Sequence, residues 1–182
     1  QGAGGGSLPG GAGGPACGVG PRQPEVRHFY RAAIMVDAEK KSLAYDLCIS
    51  SCEEILKKEP GNKEAKLRKA VCLVEKREDP MKGVALLKEL ISADSTYIDA
   101  QLQLGFFSLQ SNQLDKAAER FKKVLEIDST YIDAWLFLAQ AEEMAGEKEK
   151  AIKNYEKYYG LVQDTLIRTE LRKYIDKVKT TK

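Results

Sequence analysis

The sequence predicts an all-α protein: a right-handed stack of four helical hairpins closed by one more helix, an α-solenoid. Three observations predict it. The string Asp-Ser-Thr-Tyr-Ile-Asp-Ala occurs twice, at Asp94–Ala100 and Asp128–Ala134, 34 residues apart. That offset is a known period of stacked helix–turn–helix units. Apolar residues also recur at helical spacing towards both ends: Val26, Phe29, Tyr30, Ala33 and Val36 on one side, Leu171, Tyr174, Ile175 and Val178 on the other. Finally, the chain has no run of about 18 apolar residues, so its helices bury their stripes against each other rather than in lipid.

Taken in order, residues 1–23 differ in kind from residues 24–182. Ten of the 15 glycines and three of the six prolines fall in that leading stretch. It holds too little apolar surface to offset the entropy of ordering it, so a flexible tail or linker is expected, native or vector-derived. Docking of this tail into a groove of its own domain is the alternative. Order is expected from Pro24, since proline suits a first helical turn. Alignment on the duplicated string gives units of about 29–62, 63–97, 98–131 and 132–165. The second holds one extra residue near Arg77 to Pro80, where a turn absorbs it. Thr96 with Asp99, and Thr130 with Asp133, match the Ser/Thr-x-x-acid capping pattern. Asp79-Pro80 and Ser42 are further expected helix starts, while Asn112, Gly146 and Pro60-Gly61-Asn62 suit turns. A capping helix follows over 166–180, with Arg168, Arg172, Lys173 and Lys177 outward. A solvated face is the usual meaning of such a run, and an acidic partner the sharper one.

Charge and composition exclude several function classes. With 29 basic and 27 acidic side chains the net charge is +2, which gives no reason to expect nucleic acid or a membrane surface. No signal peptide is visible. A cytoplasmic location is expected, or a periplasmic one if a signal was removed before Gln1. Cys17, Cys48, Cys52 and Cys72 lack the spacing of a disulfide framework, and one histidine, His28, is too few for a zinc site with them. Buried reduced thiols are expected, and no cofactor or metal. No phosphate loop or catalytic dyad is present, and the adjacent pairs Glu53-Glu54 and Glu142-Glu143 point different ways on a helix. The chain is not expected to be an enzyme.

Within the repeats the residues resemble the tetratricopeptide repeat family over most of 29–165. The third unit carries Gln101, Leu104 and Gly105, then Ala117, Phe121 and Val124. The fourth carries Trp135, Leu138 and Ala139, then Ala151, Tyr155 and Tyr158. The second is looser (Ala70, Gly83, Leu87, Leu90) and the first weakest (Val36, Cys48, Cys52, Ile55, closed by Pro60). Ser95 and Ser129 stand where the family has proline. Small residues let paired helices approach, aromatics fill the space to their neighbours, and no unit can bury its stripe alone. The whole looks similar to stand-alone bacterial proteins of this family.

The resemblance implies a concave face lined by the fifth, ninth and twelfth residues of each unit. These are Leu67, Val71 and Val74, then Leu102, Phe106 and Leu109, then Leu136, Gln140 and Glu143. Seven of the nine are apolar. An exposed stripe of that size marks a binding surface, unless the same chain covers it. The family's carboxylate clamp for acidic chaperone tails is not matched: its positions hold Leu67, Val71, Gln103, Asp133 and Phe137, or, one unit earlier, Ala33, Asp37, Arg68, Asp99 and Gln103. The expected function is therefore protein recognition, as a scaffold or adaptor holding a peptide or helix of a partner in an apolar groove. The alternatives are a chaperone for an apolar client segment, and a structural homo-oligomer that buries the groove between copies.

Overall fold

The computed structural model describes residues 38–180, all in helices and short turns. The helices are α1 (Ala38–Lys58), α2 (Lys63–Lys76), α3 (Pro80–Ala93), α4 (Ile98–Gln110), α5 (Leu114–Ile127), α6 (Asp133–Met144), α7 (Lys148–Leu161) and α8 (Thr165–Thr180). Each packs on its sequence neighbour, and α2 also reaches α4. This is the expected α-solenoid. The hairpins α2–α3, α4–α5 and α6–α7 match the second to fourth units, α1 holds the second-helix place of the first unit, and α8 trails. The tail over 1–23, Cys17, His28 and the first helix of the first unit lie outside the described residues.

Two local expectations are corrected. Ser42 does not start a helix: it lies inside α1, which runs unbroken from Ala38. The residues before it, Ala38-Glu39-Lys40-Lys41, are strong helix formers, and the helix contains no glycine or proline to stop it. The capping boxes at Thr96/Asp99 and Thr130/Asp133 do not form either. The residues that cap α4 and α6 are Tyr97 and Ile132, neither with a side-chain cap. Instead Asp94 Oδ1 accepts from the backbone N–H of Thr96 at 3.1 Å and from its hydroxyl at 2.7 Å. Asp128 does the same for Thr130, at 2.8 and 2.6 Å. The duplicated string is thus an Asx-turn: the short carboxylate reaches two residues on before the helix can begin.

Other boundaries follow the sequence. Asp79 caps α3 ahead of Pro80, and Asn62 Oδ1 accepts from the Ala65 N–H at 2.9 Å to cap α2. Asn112 and Gly146 take positive φ in their turns, and so does Arg77, where the second unit's extra residue is absorbed.

Packing rests on small residues. Ala70, Ala100, Ala117, Ala134, Ala139, Ala141 and Ala151 are all fully buried. A Cβ on Gly105 would lie 2.6 Å from Cε1 of Phe121, and one on Gly83 would lie 2.4 Å from the Ala70 carbonyl oxygen. Phe121 therefore fills the slot that Gly105 leaves, and meets Phe106 and Phe137 with ring centroids 5.4 and 5.6 Å away. Gln101, buried beside this core, is satisfied at both ends. Its amide donates to the Ser95 carbonyl at 3.1 Å, and its oxygen accepts from Arg120 at 3.0 Å.

Two outcomes are expected. Gly105→Ala destabilises by about 1–3 kcal/mol, because the ring of Phe121 must move off its position. In a Phe121→Leu background the added cost shrinks, a coupling that urea melts of the double-mutant cycle would read. For acid, Lys63 first, with Thr96, holds the Asp94 carboxyl down to about 2. Unfolded aspartate titrates near 3.9. Its contribution is therefore present above about pH 4 and is lost as pH falls towards about 2. Asp94→Asn should flatten that part of the stability–pH curve; an unchanged slope would contradict the assignment.

Candidate functional site: a groove between α4, α6 and α8

The first helices of successive units, α2, α4 and α6, form one side of the stack, and α8 takes the place where a further first helix would stand. Between α4, α6 and α8 lies an open groove of about 740 Å³, within the range of ligand-binding clefts. Leu109 of α4 and Leu136, Gln140, Glu143 and Met144 of α6 form one wall. Leu166, Ile167, Glu170, Leu171 and Tyr174 of α8 form the other, with Tyr155 and Tyr158 of α7 between them. Its apolar rim is open to solvent: Leu166 is 73% exposed, Met144 56% and Ile167 43%.

One carboxylate is held inside it. Glu143 accepts from the Tyr155 hydroxyl at 2.6 Å and from the Tyr174 hydroxyl at 3.0 and 3.1 Å. The two rings meet edge to face at 5.6 Å. Burial, and then the bond to Glu143, push both tyrosine hydroxyls above their ordinary range. The neighbouring Glu142 is turned away and buried, where it accepts from Asn154 at 2.6 Å and faces Lys122 at 3.7 Å.

The nine residues expected on the concave face divide three ways. Leu109, Leu136, Gln140 and Glu143 line this groove. Val71, Val74 and Phe106 border a separate cleft of about 20 Å³, room for about one water. Leu67 and Leu102 are buried, 2% and 3% exposed, in two of the hydrophobic cores. Phe106 also packs on Phe137 with centroids 4.7 Å apart. The groove residues missed from sequence are those of α7 and α8, together with Met144. A signal existed: Ile167 lies four residues before Leu171, on the same helical face.

Elsewhere, Cys48, Cys52 and Cys72 are free and buried together, with the Cys48 and Cys72 sulfurs 2.7 Å apart. A hydrogen bond to Cys48, and then burial, push the Cys52 thiol up, the opposite of an activated nucleophile. Among the described residues no group of three or more His, Cys, Asp or Glu could hold a metal, and no helix is long and apolar enough to cross a membrane. On α8, Lys173 pairs with Glu170 at 2.8 Å and Arg172 with Asp176 at 3.6 Å, while Arg168 lies 4.5 Å from the ring centre of Tyr159. Local partners thus take up much of that basic face.

Stacked helical hairpins of this geometry define a helical-repeat fold. A family model described as "Tetratricopeptide repeat" matches residues 108–157. The crystal structure of MamA is similar, with 22% identity and a TM-score of 0.60, covering 79% of this chain and 93% of that one. A second crystal structure, of MamA protein, gives 21% identity and a TM-score of 0.57 over 85% of this chain and 90% of that one. At such identities the likeness is one of fold. No curated protein matches the sequence.

Because the folded state raises the pKa of Tyr155 and Tyr174 and so disfavours their ionisation, their contribution is full below about pH 10, the ordinary tyrosine value. It is lost as pH rises beyond that. Tyr155→Phe should cost about 1 kcal/mol at neutral pH through the lost bond to Glu143. It should also weaken the alkaline fall in stability, as chemical melts at pH 8 to about 11 would measure.

Proposed function

We propose that this chain is a protein-recognition scaffold that seats an apolar segment of a partner in the groove between α4, α6 and α8. One observation carries the reading: a groove of about 740 Å³ whose rim side chains, Leu166, Ile167 and Met144, are exposed although apolar. Such contiguous apolar surface is held by a repeat array at the cost of solubility, and its use is burial against another chain. The walls are helices rather than loops, so little ordering is needed on binding. The same groove would serve a chaperone towards an apolar client. The two roles share their contacts and differ in what becomes of the segment afterwards.

The test uses side chains that are already exposed, because a charge at the buried Leu102 would unfold the array rather than probe a surface. Leu166→Glu with Ile167→Glu should abolish partner capture while leaving helicity by circular dichroism unchanged. A photo-crosslinking residue at Gln140, which lines the groove and is exposed, should crosslink the partner in the parent chain and not in the double variant. Crosslinking that survives the double change would place binding elsewhere.

A further inference from the structure

We propose that the segment seated in this groove carries one lysine or arginine among apolar residues, with the cation placed on Glu143. The inference rests on the groove being the binding site and adds the charge of its occupant. Among the described residues two charged side chains line the groove, Glu143 and Glu170, and both are acidic. Glu170 already pairs with Lys173 at 2.8 Å. Glu143 is different. It is held by the hydroxyls of Tyr155 and Tyr174, and among the described residues no lysine or arginine forms an ion pair with it. Two neutral donors orient the carboxylate without cancelling its charge.

That arrangement discriminates between occupants. Leu109, Leu136, Met144, Leu166 and Ile167 surround the acid with apolar surface. A wholly apolar segment would expel water and leave Glu143 charged, with no counter-ion, in a low dielectric. An acidic segment would add like-charge repulsion. A segment with its own cation satisfies the carboxylate, and the half-buried ring of Tyr174 beside it offers aromatic surface to the same cation. Selection then comes from penalties against the wrong partner as much as from attraction to the right one.

The experiment titrates the full chain with three acetylated, amidated peptides, Gly-Leu-Ala-Leu-X-Leu-Ala-Leu-Gly, where X is lysine, norleucine or glutamate. Calorimetry is the readout. The lysine peptide should bind about tenfold or more tighter than the norleucine peptide, the scale of one charge-assisted hydrogen bond, and the glutamate peptide should bind weakest. Glu143→Gln keeps an acceptor for both tyrosines, and its melting temperature reports any loss of fold. In that variant the lysine peptide should fall to the level of the norleucine one. Equal binding of lysine and norleucine peptides to the parent chain, or a lysine preference that survives Glu143→Gln, would overturn the inference and leave the groove reading standing. If none of the three binds, the groove reading fails and takes this inference with it.

Discussion

Close approach of paired helices is the constraint on which the rest of the molecule depends. At Gly105 and Gly83 no Cβ fits, because Phe121 in one case and the Ala70 backbone in the other occupy its place. Alanines with no exposed surface serve the same end at Ala117, Ala139 and Ala151. With the backbones this near, one aromatic side chain per hairpin can bridge to the next unit. Phe121 does so towards Phe137 of α6, while packing on Phe106 within its own hairpin. Each hairpin thus completes its neighbour's core, and stability accumulates along the stack rather than around one centre.

The site is a consequence of that stacking. α8, the last helix among the described residues, buries Leu171, Ile175 and Val178. Its first turn, fixed by Asp164 accepting from the N–H groups of Leu166 and Ile167 at 2.8 and 3.0 Å, projects two apolar side chains across from α6. The groove is the space left between them. Its floor is tied together by the tyrosine–carboxylate bonds of Tyr155, Tyr174 and Glu143, which join α6, α7 and α8 across 12 and 31 residues of chain.

Much of this was legible residue by residue. The period of the duplicated string located the hairpins, and Asp79-Pro80, Asn112 and Gly146 marked boundaries through short-range chemistry that needs no partner. Legibility ended where two local patterns compete for the same groups. Thr96 and Thr130 fit a helix cap by spacing, yet the aspartates two residues earlier claim their donors. Ser42 fits a helix start by type, yet the residues before it extend the helix. The concave stripe failed as a unit for a different reason. Leu67 and Leu102 occupy equivalent repeat positions and sit in the core, while Leu136, another equivalent, lines the open groove. Equivalent positions in the repeat do not share an environment, because each faces whatever the next unit supplies.

The sequence by itself determined the all-helical class, the repeat period and the small residues that let helices nest, since these depend on periodicity and on volume within a few turns of chain. Only the tertiary structure decided which apolar side chains remain exposed and that Glu143 is held by two tyrosines from different helices. Burial and such contacts depend on what packs opposite a residue, and for α6 and α7 that neighbour is α8, whose placement no local pattern encodes.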